Sequence, residues 1–144
     1  GVLSGVVSIG DAAMAQITGD DDTIHFGEDI QRAGDVDGDG FDDVLVGAHE
    51  NGAQWVLEED YRHGDDTDGM AYLFYGPLSG SLLFSEAHVF FPGIVGDGNT
   101  GWAVTGDVDL DGDQLDDIVI SANMAEDSLY REGLLYAVSG DSIR

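Results

Sequence analysis

Two stretches of this sequence place carboxylates at alternate positions. Asp35, Asp37, Asp39 and Asp43 occupy positions 1, 3, 5 and 9 of the first, with Phe41 at position 7. Asp109, Asp111, Asp113 and Asp117 repeat that spacing, with Leu115 at position 7. Alternate carboxylates on a tight glycine-containing loop converge on one point. The backbone carbonyl at position 7 adds an oxygen, and the last aspartate closes the shell. A set of hard oxygen donors suits Ca²⁺, which takes about six to eight, better than Mg²⁺, which demands a strict octahedron and keeps its waters. Four carboxylates around an empty centre repel one another, so each loop is expected to need its cation for order. A single match also reads as a solvated acidic turn whose aspartates cap their own backbone. Two copies in register, each followed by an apolar run, favour the metal. Neither stretch is an EF-hand: at the twelfth position stand Val46 and Ile120, where a bidentate Glu is required, and no helical pattern flanks them.

The elements that must hold these loops repeat as well. A displacement of 74 residues lays 27–48 on 101–122 without a gap. Long repeats of this kind signal solenoids or propellers, in which no unit buries its own faces alone. Residues 44–46 and 118–120 are β-branched apolar runs bounded by Asp and Gly, the pattern of a strand buried on both faces. Residues 71–75 and 134–138 are further strands rich in Tyr, Phe and Leu. Residues 87–91 and 12–17 form a fourth type, and 27–34 and 101–108 are weaker strands that lead into the acidic loops. No window carries a helical stripe, and 53–61 offers one turn at most. The chain is expected to be all-β. One departure is Gln114, which stands where the first loop has Gly40. If that position takes positive φ, the second loop is strained and binds its cation more weakly.

Composition excludes several classes of partner. The 144 residues carry four Lys+Arg against thirty Asp+Glu, for a formal charge of −26. Nucleic acid and anionic membrane surfaces both require a basic footprint that is missing. The longest apolar runs, 82–84 and 89–91, are far too short to span a bilayer, so no membrane insertion is expected. A hydrophobic content of 42% is too high for a disordered acidic tail. There is no cysteine, which removes disulfides and thiolate metal sites.

The residues Phe26-Gly27, the run from Gly34 to Asp43 and the pair Gly47-Ala48 closely resemble the FG-GAP repeat of integrin α-subunit β-propellers and of many secreted bacterial proteins. The second copy departs from the pattern, with Thr100-Gly101-Trp102 for the Phe-Gly signature and Ser121-Ala122 for Gly-Ala. The resemblance implies four-stranded antiparallel propeller blades with Ca²⁺ in the loop joining the first and second strands. It implies that partners approach the opposite face, and that the module is extracellular or at the cell surface. A structural, adhesive or assembly role follows, not an enzyme. On this reading residues 1–80 are one repeat, holding the outer strand of a preceding blade and most of blade one. Residues 81–144 are the second, holding the outer strand of blade one and an incomplete blade two. The strand at 12–17 is then expected to complete a blade of a neighbouring subunit or repeat by strand addition, within a larger or oligomeric propeller or array.

Other signals are weaker. The segment 49–68 carries Trp55, Tyr61, Arg62 and His63, an aromatic and basic group on an acidic chain. Binding hot spots favour such residues, for a protein or a glycan, while the plainer reading is an insertion folded onto its own blade. A calcium-dependent carbohydrate-binding module is therefore the alternative function, with an accessory part of a secreted enzyme behind it. The run from Gly96 to Gly101 fits GxGxxG but opens no helix, so no dinucleotide site is expected. His25, His49, His63 and His88 show no metal-ligand spacing, and no nucleophile elbow is present.

Overall fold

A computed structural model describes residues 8–19, 25–49, 69–93, 97–127 and 130–144. After one helical turn at Ile9–Ala12 the described chain is made of strands, with two 3₁₀ turns at Phe84–Glu86 and Gly140–Ser142. The strands are β1 (Ala15–Thr18), β2 (Asp29–Gly34), β3 (Asp43–Ala48), β4 (Met70–Phe74) and β5 (Gly80–Leu83). There follow β6 (Val89–Pro92), β7 (Asp97–Val108), β8 (Asp117–Asp127), β9 (Tyr130–Arg131) and β10 (Leu134–Val138). The all-β expectation holds. No helix among the described residues is long and apolar enough to cross a membrane.

Blade one is the antiparallel sheet β2-β3-β4-β6. Its register pairs Ile30 with Val46, Val46 with Tyr72, and Tyr72 with Phe90. Blade two is β7-β8-β10 in the same sense, with the short β9 added beside β8. The expected strand at 134–138 coincides with β10, which pairs Tyr136 with Ile120. It has no strand on its outer side among the described residues.

The strand expected at 12–17 is present as β1, but it has a partner within this chain. It pairs in parallel with β5, Ala15 opposite Gly80 and Thr18 opposite Leu83. β5 carries no alternation of its own that marks it as a strand, and the pairing comes from the long connection between β4 and β6 folding back over blade one.

Two apolar layers follow from this arrangement. One lies between the blades and joins Ala33, Val36, Leu45, Ala71 and Leu73 to Val104, Ile118 and Ile120. The other covers the far face of blade one, where Val46, Met70, Tyr72 and Phe74 pack under Phe26, Ile17, Leu78 and Phe84. Because both faces of β3 and β4 are covered, their sequences are continuous apolar runs and not alternations. A cleft of about 230 Å³ opens between the outer strands, lined by Phe90, Phe91, Tyr136 and Val138.

Candidate metal loops and the far end of blade one

The acidic loops sit where β2 turns into β3 and β7 into β8. Asp43, the first residue of β3, is fully buried. Its carboxylate accepts hydrogen bonds from the Val36 amide at 2.9 Å and the Gly76 amide at 2.8 Å. Asp117 does the same in blade two, accepting from Leu110 at 2.6 Å and Gly140 at 3.0 Å. Each of these aspartates therefore ties the start of its loop to the turn after the blade's third strand. Inside the loops the bonds again recur at the repeat spacing. The amides of Asp39 and Asp113 donate to Asp37 and Asp111 at 3.0 and 3.1 Å. Those of Phe41 and Leu115 donate to Asp39 and Asp113, both at 2.8 Å. Those of Gly40 and Gln114 donate to Asp35 and Asp109, both at 3.0 Å. Every carboxylate in the pattern is oriented by a backbone amide of its own loop.

The loops differ in detail. One ligand atom each from Asp35, Asp37 and Asp39 lie within 4.8 Å of one another, as do atoms of Asp109, Asp111 and Asp117. Asp43 is not in the first trio and Asp113 is not in the second. Asp35 Oδ1 is buried and has no hydrogen-bond partner. Its counterpart Asp109 accepts amide donors on both oxygens, from Gly112 at 2.6 Å and from Gln114. Burial lifts the Asp43 carboxyl above the ordinary aspartate range; its two amide donors oppose that lift, and the charges of Asp37 and Asp35 add to it. Gly40 has φ +93° and Gln114 φ +78°, so the position does require the left-handed region and the side chain at 114 is strained there.

The loops also meet each other across the blades. Asp116 of the second loop accepts the Asp35 amide of the first at 2.9 Å. Arg32 pairs with Asp42 at 2.6 Å and with Asp107 of blade two at 2.9 Å.

At the opposite end of blade one the Phe26-Gly27 pair has a clear physical role. Phe26 packs edge-on to Tyr72 and Phe74, with ring centroids 5.3 and 6.5 Å away. Gly27 takes φ +85° and donates to the Gly47 carbonyl at 3.1 Å. A Cβ on Gly47 would lie 2.1 Å from the Gly101 carbonyl oxygen, so blade two rests directly on glycine backbone.

The same end gathers three residues that the linear spacing did not connect. His25 Nδ1 lies 2.6 Å from Glu28 Oε2, and His49 Nδ1 lies 3.3 Å from that same oxygen. The signal was available in the hairpin register: Asp29 pairs with Gly47, which carries the strand ends at 25–28 toward residue 49. His88, by contrast, stacks on Tyr75 and accepts its amide at 3.0 Å. Trp55, Tyr61, Arg62 and His63 lie outside the described residues.

Residues 32–74 match the family model described as the FG-GAP repeat. The chain is also similar to integrin alpha pat-2 of Caenorhabditis briggsae, 30% identical over 109 residues, which is 74% of this chain and 8% of that protein. The protein of that name from Caenorhabditis elegans is 32% identical over the same length and shares. The chain thus spans about 8% of the length of these curated relatives. The matched residues run from β2 to the end of β4, three of the four antiparallel strands of blade one, an arrangement consistent with a propeller blade.

Proposed function

We propose that this chain is a calcium-stiffened pair of propeller blades, extracellular or at the cell surface, that acts as a structural or adhesive module through protein partners. The first ion would be held by Asp35, Asp37 and Asp39 with the Phe41 carbonyl and Asp43. The second would be held by Asp109, Asp111 and Asp113 with the Leu115 carbonyl and Asp117. One observation carries this reading: Asp35 Oδ1 is buried without a partner, inside a loop where Asp35, Asp37 and Asp39 each offer an atom within 4.8 Å of the others. A buried carboxylate oxygen left unpaired costs about 1–3 kcal/mol or more, and a hard cation removes that cost while neutralising its neighbours. The similarity to integrin α chains favours a protein over a glycan as partner.

Calorimetric titration with Ca²⁺ is expected to show two sites and a higher melting temperature, because binding free energy at such loops is folding free energy. Asp39→Ala is expected to remove the first site and Asp113→Ala the second. No heat and an unchanged melting temperature would end the calcium reading. Calcium-dependent binding to glycans in an array, with none to extracellular proteins, would replace the protein partner with a carbohydrate.

A further inference from the structure

The structure assigns a second kind of metal site to this chain: a divalent d-block cation of the Zn²⁺ class, held by His25, Glu28 and His49 at the end of blade one remote from the aspartate loops. This proposal is independent of the calcium reading, since it uses none of the same residues.

The chemistry of the donors comes first. Two imidazoles and one carboxylate are a nitrogen-rich borderline set that suits Zn²⁺ or its neighbours, whereas the all-oxygen aspartate loops suit hard cations. Next comes the geometry. Ligands about 2.0–2.2 Å from a tetrahedral Zn²⁺ stand roughly 3.3 Å from one another. His49 Nδ1 is 3.3 Å from Glu28 Oε2, His25 Nδ1 is 2.6 Å from it, and one ligand atom from each of the three residues lies within 4.8 Å of the others. Small rotations of the exposed His25 and Glu28 side chains, 44% and 46% accessible, would open the ion's place. Their exposure also gives the ion an entry and leaves a position for water.

The third ligand is built in rather than adventitious. The His49 side chain is 5% accessible, and its ring lies edge-on to Trp102 of blade two with centroids 4.6 Å apart. His25 holds φ +60°, an uncommon value for a residue with a side chain, and this turns the chain so that its ring comes 5.2 Å from that of His49.

The second repeat supplies an internal control. At the repeat spacing His25, Glu28 and His49 correspond to Asn99, Trp102 and Asn123. Asn99 also holds positive φ, +67°, and its side-chain amide donates to Asn123 Oδ1 at 3.1 Å. The shared backbone thus brings these two positions together in both blades. Blade two joins them with a neutral amide hydrogen bond, which needs no ion. Blade one puts two imidazoles there and adds a carboxylate. A metal at this place would clamp the open end of the β2–β3 hairpin, as the aspartate loop clamps the closed end.

The test uses the full chain under saturating Ca²⁺, so that the aspartate loops do not compete for the probe. Titration with Zn²⁺ is expected to show one further equivalent bound. In heteronuclear spectra the imidazole signals of His25 and His49 should shift with that equivalent, while those of His88 stay in place. Co²⁺ in place of Zn²⁺ should give the intense visible bands of a low-coordinate nitrogen-bearing site. His25→Asn with His49→Asn, which installs the residues of the second repeat, is expected to weaken Zn²⁺ binding on the order of 100-fold or more. Glu28→Gln, at an exposed position, provides a second variant that keeps the fold if the double replacement does not. Zn²⁺ binding of equal affinity in the wild type and the variants would overturn the site, as would imidazole signals that do not move.

Discussion

All five residues of β4 in blade one are buried, whereas β10, which corresponds to it in blade two, has no residue of that class. The difference lies in what each face meets, not in the plan of the strands. Blade one is covered on one side by blade two and on the other by Phe26, Ile17 and Phe84. Blade two leaves Leu134, Leu135, Trp102 and Met124 at 42–75% exposure. The glycines follow the same division. A Cβ on Gly34 would collide with Asp116, and one on Gly47 with the Gly101 carbonyl. The corresponding positions in blade two are Val108 and Ser121, and the Ser121 hydroxyl accepts the Ala103 amide at 2.9 Å. Blade one is cut to receive the backbone of a following blade at close range. Blade two carries side chains, not glycines, at those two positions.

The largest test of this contrast exchanges the residues. Gly47→Ser should cost more than about 3 kcal/mol, since a Cβ 2.1 Å from a carbonyl oxygen forces the blades apart and opens their shared core. Ser121→Gly removes one hydroxyl and adds chain flexibility, and should cost about 1 kcal/mol. Urea denaturation measures both. Equal losses would mean that the close approach of the blades contributes nothing to the difference between them.

The next test asks where the two blades are alike. Asp43→Ala and Asp117→Ala each strip the acceptor from two backbone amides, Val36 and Gly76 in one case, Leu110 and Gly140 in the other. Each loss should be about 2–4 kcal/mol in calcium-free buffer, with the two variants similar, because the cost is that of unpaired amides. A loss in one blade only would show that the recurring bonds are not equivalent supports.

Much of this was readable from the residues. The apolar runs at 44–46 and 71–75 mark β3 and β4, whose structural bounds are Asp43–Ala48 and Met70–Phe74. The recurring aspartates mark both loops, and Gln114 in the place of Gly40 marks the strained turn, with its φ of +78°. Three features were not readable in that way, each for a physical reason. The parallel pairing of β1 with β5 joins segments some 65 residues apart with no local pattern between them. The need for Gly47 arises from the backbone of another blade, not from its own φ. His25, Glu28 and His49 meet only through the hairpin register, and metal-ligand spacing along the chain does not describe ligands supplied by two strands.

A smaller effect separates the two aspartate loops. Gln114→Gly should relieve the left-handed strain and stabilise the chain by about 1 kcal/mol. It should also bring the calcium affinity of the second loop closer to that of the first. Gly40→Gln should do the reverse. Calcium titration of both variants, with each site followed in the background of Asp39→Ala or Asp113→Ala, separates the contributions. Unchanged affinity in Gln114→Gly would place the difference between the loops elsewhere, in the unpaired Asp35 Oδ1 that the second loop lacks.

The smallest expected effect is at the charged link between the blades. Arg32 joins Asp42 of the first loop to Asp107 of blade two, and the guanidinium is raised above its usual range first by the Asp42 hydrogen bond and then by the Asp107 charge. Such a bridge invites the conclusion that it holds the blades together. Its side chain is 56% accessible, however, and exposed ion pairs are worth about 0–1 kcal/mol. The joint already has the shared core of Leu45, Leu73, Ile118 and Ile120, the glycine approach at Gly47, and the Val104 amide donating to Asp29 at 2.7 Å. Arg32→Ala should therefore lower stability only slightly at low salt, and the loss should fade as ionic strength screens the pair. The chain carries a formal charge of −26, so removing one of four basic residues also raises the general repulsion, which salt screens in the same direction. Arg32→Gln beside Asp107→Asn and their double variant separates the two contributions, since only the direct pair gives a coupling energy. A salt-independent loss of several kcal/mol would mean that the charged link, and not the glycine-lined core, decides how blade two sits on blade one.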